Sequence, residues 1–375
     1  MAKVGVAELQ TLSHDMREQE RIAYLEENGW GDAVRTPFTA DASTRRYERL
    51  TRGDEHAIFM DAPASAESGP CPPDATENER QKLGWNAVSR LAASRVEAFV
   101  AVADYLSALG LSAPRILAFD ADQGFAILED LGDNIFARVI EKGEDELALY
   151  RAAAAALSVV HQVPTPSRLS AGAAQWPILE FDQLAVSVNA DLFIDWMPQY
   201  DDRVAITDAD RNRWADARNA LISEALTFPR AMILRDYHAE NLIWMPERSG
   251  VKRVGLLDFQ DAVNGWAEWD FAMLLQDARR EVSDAAKEAA VTEYLNRTGG
   301  SREDFDKRLA VLGALNAFRV AGIFSRLIKR DNKPKYEAFQ PRQLRLLAQN
   351  LKHPALKDMR ALITSVAPHI AEADT

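Results

Sequence analysis

Apolar residues recur near helical spacing across residues 8–28, at Leu9, Leu12, Met16, Ile22 and Leu25, and predict an amphipathic helix stopped by Gly29 and Gly31. The period then shortens to that of strands over 44–50 and 56–60, joined by the hairpin signal Arg52-Gly53-Asp54. Pro63, Pro70, Pro72 and Pro73, among small and polar residues, mark 62–80 as a loop or insertion. A helical stretch over 81–109 is expected next, followed by strands at 114–119 and 124–128 and a break at Leu131-Gly132-Asp133. Beyond it the pattern is helical over 144–162, 181–199, 207–226, 270–297 and 302–330. One strand-rich island interrupts at 231–258. Strands first and helices afterwards predict an α+β protein of two lobes with a cleft between them, the lobes spanning 1–130 and 131–375.

Composition narrows the classes. The 375 residues are 47% hydrophobic and 27% charged, which is ordinary for a globular chain. With 57 acidic and 44 basic side chains the net charge is -13, which argues against binding nucleic acid or an anionic membrane surface through a general positive field. The single cysteine, Cys71, allows no internal disulfide and fits a reducing compartment. The charged N-terminal stretch has no apolar signal core, and the alanine run at 152–160 is far short of a bilayer span. A cytoplasmic protein is expected. Its oligomeric state is not legible.

The island at 231–258 carries the chemistry. An apolar run at 231–234 leads into Arg235-Asp236-Tyr237-His238-Ala239-Glu240-Asn241, and a second run follows at 242–245. The turn cluster 246–250 precedes a third run that ends at Asp258. If the last two runs pair as a hairpin, Asn241 enters one strand where Asp258 leaves the other, so the two lie side by side. Asp236 belongs to the loop at that same end. Two carboxylates and an amide oxygen suit Mg²⁺, which shares its shell with water and phosphates, and a carboxylate left off the metal can take a proton from a hydroxyl. Asp-x-x-x-x-Asn alone is common in turns. The hairpin and Leu256-Leu257-Asp258-Phe259 at its far end turn it into a phosphoryl-transfer pattern. Asp270 opens a helical run, where it would cap the helix and brace the loop that holds Asp236. Asp261 either lines a substrate pocket or sits in a solvated turn.

These segments resemble the aminoglycoside-phosphotransferase-like kinases, which share the bilobal protein-kinase-like fold with a small β-rich N-lobe and a larger helical C-lobe. The similarity covers most of the chain. Ile127-Leu128-Glu129-Asp130-Leu131-Gly132 is similar to the family's adenine-binding hinge, so Glu129 and Leu131 are expected at the nucleotide. Arg235-Asp236-Tyr237-His238 with Asn241 resembles its catalytic loop, which implies Asp236 as base, Arg235 as support and His238 near the acceptor. Asp258-Phe259-Gln260-Asp261-Ala262 resembles its metal segment. Within the family the similarity is greatest to the branch that phosphorylates N-acetylmuramate and N-acetylglucosamine at the anomeric position, in cell-wall sugar recycling. That likeness rests on 41–47, on Met60-Asp61-Ala62-Pro63, on 258–262 and on Gly322-Ile323-Phe324-Ser325-Arg326-Leu327 with Arg330, Asp331 and Lys333.

The resemblance implies ATP and Mg²⁺, a small-molecule acceptor, and a pocket near Asp191 and Trp196, whose aromatic face suits a sugar ring. Two departures stand out. Leu234 occupies the place of a usual His, and Phe59-Met60-Asp61 lacks the usual phosphate-binding Lys. Arg45 or Arg46 would have to supply that charge. A cationic acceptor such as an aminoglycoside or choline is the alternative substrate class. A nucleotide-binding protein without turnover is the alternative of another kind, motivated by the two departures and opposed by the intact Asp236, Asn241 and Asp258.

Overall fold

The computed structural model describes residues 6–38, 44–63, 71–89, 91–92 and 95–373; Asp41, Ala42 and Ser43 of the resemblance lie outside them. After α1 (Val6–Glu27) come β1 (Val34–Pro37), β2 (Arg46–Arg52) and β3 (Glu55–Asp61). Helices α2 (Glu77–Leu83), α3 (Trp85–Ser89) and α4 (Val96–Ala108) precede β4 (Ile116–Asp120) and β5 (Phe125–Glu129). The five strands form one antiparallel sheet in the order β1-β2-β3-β5-β4. The expected hairpin is present, with Arg52 opposite Glu55 and Gly53 at φ 58°. The expected loop is interrupted by α2, whose Thr76 and Glu79 form a capping box. The helix expected over 81–109 is broken, because Gly84 takes φ 94° and ends α2.

Period-two alternation gives β3 two faces. Ala57 and Phe59 face α1, where they pack with Tyr24, Leu25, Phe125 and Ile127. Met60 faces the larger core that continues into the second lobe. Of the apolar positions whose spacing predicts the α1 contact, Leu25 is buried there while Met16 and Ile22 are exposed. Two arginines add to the contact made by Tyr24 and Leu25. Arg17 lies 3.9 Å over the Phe125 ring and bonds Asp61 at 2.6 Å, while Arg21 pairs with Glu48. A guanidinium stem and an aromatic face bury apolar area together, so an apolar count misses the face.

The second lobe begins with α5 (Phe136–Glu141), α6 (Glu146–His161) and the hairpin β6 (Arg168–Ala171)–β7 (Ala174–Pro177), and continues with α7 (Gln183–Tyr200) and α8 (Asp208–Ala225). Four short strands follow: β8 (Ala231–Ile233), β9 (Leu242–Trp244), β10 (Val254–Leu256) and β11 (Val263–Gly265). The rest is helical: α9 (Ala267–Leu275), α10 (Asp284–Thr298), α11 (Arg302–Lys329), α12 (Gln340–Leu351), α13 (Lys357–Val366) and α14 (Pro368–Ala371). One helix expected over 270–297 is two. Asp277 Oδ1 accepts the Arg279 N–H at 2.8 Å, an Asx turn that competes with helix, and Ser283 caps the restart.

Helix α11 is long and apolar enough to cross a membrane by composition, but 78% of its apolar window is buried inside the protein. It runs along α7. At the crossing a Cβ on Gly322 would stand 2.3 Å from the Leu192 carbonyl carbon, and nearby Ser325 Oγ bonds the Ala321 carbonyl and approaches Met197 Sδ. The segment 322–327 is therefore set by close packing. Gly322→Ala should destabilise the protein by about 1–3 kcal/mol, since backbone cannot retreat from a methyl group as a flexible side chain can. A fall in the denaturant midpoint checks this.

Candidate active site

Two ribbons explain how distant residues meet. Strand β8 pairs with β11 and β9 pairs with β10, both antiparallel, with Leu242 opposite Leu256 and Ile233 opposite Val263. The chain therefore crosses from one ribbon to the other twice, through 234–241 and through 257–262. Both crossings share the same gap, which is why Asp236 and Asp258 come together. The expected hairpin holds, and the Leu257 N–H donates to the Asn241 carbonyl at 3.0 Å. The partner of β8 was not legible, because a three-residue strand after a tight turn carries no period.

Both loops hold a residue other than glycine in the left-handed region, Arg235 at φ 69° and Asp258 at φ 55°. Such conformations cost energy and persist only when neighbours enforce them. Asp270 enforces the first. Its two oxygens accept the N–H groups of Leu234 and Arg235 at 2.8 and 2.9 Å. Asp270 thus braces the loop as expected, although it sits inside α9 and not at its N-cap, which is Trp266. Leu234 is buried in the core and is held through its backbone, so the loop is fixed without a His there. His161 of α6 approaches Asp270 Oδ2 at 3.4 Å; sequence reading had not singled it out.

Electrostatics separates the two carboxyl groups. Burial, then the Asp258 charge, raises the Asp236 pKa, against the pull of Arg319, Arg235 and Arg279. Burial also opposes the Asp258 charge, but Arg45 and the Gln260 amide outweigh it and hold this pKa down. Asp258 is thus the stable anion and Asp236 the better proton acceptor.

The sheet puts the two candidate arginines on opposite sides. Arg45 and Tyr47 are two residues apart and share the cleft-facing side, and Arg45 bonds Asp258 Oδ1 at 2.7 Å. Arg46 is exposed, on the same side of β2 as Glu48, which bonds Arg21 and Arg35. Just after β5, Arg49 bonds Asp130 at 2.6 Å and Asp133 at 2.8 Å. Glu129 accepts from Arg248 at 2.9 Å and from the Arg115 N–H at 3.1 Å. Leu131 packs with Ile243, Met245 and Leu257, an apolar platform next to Asp258. Ile243 and Met245 passed in the sequence as ordinary strand residues.

Of the remaining candidates, His238 is buried, and burial followed by the Arg279 charge brings its pKa down to about 4. Its neutral Nε2 lies 3.4 Å from Asn241 Nδ2, which also donates to the Asp236 carbonyl at 2.9 Å. These contacts orient the amide and leave Asn241 Oδ1 as its acceptor oxygen. Asp261 faces the cleft; it accepts the Ala92 N–H at 2.6 Å and interacts with Arg235 and Arg45. Asp191 is engaged elsewhere, by Trp214 Nε1 and Arg218. Trp196 lies 5.9 Å from Arg330, eleven residues along α11 from Arg319, or roughly 16 Å at helical rise.

Asp270→Ala should cost stability, about 1–3 kcal/mol for each buried N–H left without a partner. It should also lower turnover, because the left-handed Arg235 turn loses its enforcement. Thermal unfolding and kcat should fall together, with Asp270→Asn intermediate.

Known proteins resemble the chain over most of its length. The chain is 47% identical over 363 residues to a protein named N-acetylmuramate/N-acetylglucosamine kinase from Caulobacter vibrioides, covering 96% of this chain and 98% of that one. It is 30% identical over 381 residues to a protein of the same name from Pseudomonas aeruginosa, covering 96% and 100%. The fold matches the crystal structure of a choline/ethanolamine kinase family protein from Mesorhizobium loti, with a TM-score of 0.55, 15% identity, and coverage of 93% of this chain and 99% of that one. Residues 34–306 match the phosphotransferase enzyme family, and the chain belongs to that family.

Proposed function

We propose that this chain transfers the γ-phosphoryl group of ATP to the anomeric hydroxyl of N-acetylmuramate and N-acetylglucosamine. The observation that carries the reading is the near full-length 47% identity to the Caulobacter kinase of that name. The site supports it. Asp236 orients the acceptor hydroxyl and takes its proton, with a pKa already raised toward that task. An anomeric hydroxyl is more acidic than other sugar hydroxyls, which suits a carboxylate base. Adenine lies along Glu129–Leu131 on the platform of Leu131, Ile243 and Met245, and the lobes divide after Asp130.

Asp258 and Asn241 Oδ1 fit Mg²⁺. Among the described residues no three His, Cys, Asp or Glu side chains converge as an all-protein cage, whereas magnesium takes one or two protein oxygens and fills its shell with phosphate and water. Bound there, the ion would neutralise phosphate charge. Arg45, already directed at Asp258, supplies the second positive charge on the nucleotide side in place of the missing Lys.

A cationic acceptor would need spare carboxylates. Asp182 is bound by Arg80, Asp191 by Arg218 and Asp195 by Arg211. Asp261 shares its surroundings with Arg45 and Arg235. The acidic net charge thus does not describe the cleft, and an amino sugar is the better fit.

Incubation with Mg·ATP and each of N-acetylmuramate, N-acetylglucosamine, kanamycin and choline, read by ³¹P NMR, should give the two sugar 1-phosphates; turnover only with kanamycin or choline would sink the proposal. Asp236→Asn should lower kcat by ~10²–10⁴-fold, the usual contribution of a positioned base, with Mg·ATP affinity little changed. Arg45→Ala should raise the KM for ATP far more than Arg46→Ala does. Equal effects would mean that the phosphates are held without Arg45.

A further inference from the structure

The two acceptors proposed above differ in one charged group. N-acetylmuramate is N-acetylglucosamine with a lactic acid ether at O3, and it brings a carboxylate that its sibling lacks. An enzyme that uses both must give that carboxylate a place, although Asp236 and Asp258 both repel it.

Arg319 answers this requirement. It projects from α11, a 28-residue helix packed along α7, and so stands on a rigid support. Its Nε donates to Asn316 Oδ1 at 3.0 Å, Nη2 lies 3.7 Å from Met273 Sδ, and the guanidinium carbon is 5.9 Å from the Trp269 ring centre. Asn316 and Trp269 are themselves buried. These contacts fix the side chain without an ion pair: among the described residues, no carboxylate lies within ion-pair distance of it, and Asp236 acts on it only from farther off. Geometry sets it beside the loop of Asp236: its Met273 contact lies on α9 one turn from Asp270, which holds the Leu234 and Arg235 N–H groups, and the Asp236 carboxyl feels the charges of Arg319, Arg235 and Arg279. Arg279 follows the turn after α9, and its Nη1 is only 3.5 Å from Asp277, a long contact on a partly exposed side chain.

We infer that Arg319, with Arg279 beside it, is the specificity-determining residue that receives the carboxylate of the acceptor, and that it places N-acetylmuramate with its anomeric hydroxyl at Asp236. The inference rests on the acceptor reading above. A guanidinium already ordered by Asn316 loses little freedom when it forms two parallel bonds to a carboxylate. N-acetylglucosamine binds without this contact. The same positive wall disfavours cationic acceptors.

The wild-type enzyme gives the first test. N-acetylmuramate and its neutral carboxamide have the same ring and nearly the same bulk, and kcat/KM should be about ten-fold or more higher for the acid, as expected for a charge-assisted pair. Equal values overturn the inference. The second test compares Arg319→Gln with wild type on the two natural sugars. The ratio of kcat/KM for N-acetylmuramate to that for N-acetylglucosamine should fall about ten-fold or more, through KM, and Arg319→Lys should recover part of it. If both sugars lose in equal proportion, Arg319 acts on Asp236 and not on the acceptor, and the inference fails while the acceptor reading stands. If the wild-type enzyme phosphorylates neither sugar, the acceptor reading fails and this inference with it. The comparison of acid with amide needs no variant, so it decides the matter even if Arg319→Gln does not fold.

Discussion

Two like charges held close together govern this structure. Asp236 and Asp258 occupy neighbouring crossings between the same two ribbons, and each would push the other toward protonation if the surroundings were neutral. The protein meets this with guanidinium groups from four directions: Arg45 from the sheet lobe, Arg235 from the loop that carries Asp236, Arg279 from the turn after α9 and Arg319 from α11. Arg45 bonds only one of the carboxylates, which makes the pair unequal. One remains a firm anion and the other is the better proton acceptor. The functional asymmetry is therefore a consequence of where the arginines stand.

The rest of the fold keeps that arrangement in place. The loops are strained at Arg235 and Asp258, and strain is held only by something stiffer. Asp270 supplies this for the first loop from inside a helix whose residues from 268 to 275 are all buried. The α7–α11 seam, closed to backbone distance at Gly322, fixes the helix that carries Arg319. Arg49, bound to Asp130 and Asp133, ties the sheet to the turn after β5. Stability and chemistry share these elements, so a packing change far from the cleft is felt in turnover.

Much of this was legible in the sequence. The first lobe's strands and hairpin, the helices from 144 onward, and the convergence of Asp236, Asn241 and Asp258 follow from short-range period and register. A hairpin folds on information within a few residues of itself, and pairing Leu242 with Leu256 brings Asn241 beside Leu257. The choice between Arg45 and Arg46 was almost within reach, because adjacent strand residues face opposite sides. It needed the phase of β2, which its partner strand sets.

Other features belong to the tertiary structure alone. Arg319 is 83 residues from Asp236 and reads locally as one more cation on an amphipathic helix. The helices expected over 81–109 and 270–297 are broken, the second by a side chain that bonds its own backbone, a competition that periodicity does not register. Asp191 and Trp196 are neighbours on one helix, and their partners Trp214, Arg218 and Arg330 come from segments that local sequence does not reveal. The sequence by itself determined most of the elements, the family and the meeting of Asp236, Asn241 and Asp258, because these depend on residues close together in the chain. Which arginines surround those groups, and which acceptor charge the cleft can receive, depends on contacts between distant segments, and only the packed chain brings those segments together.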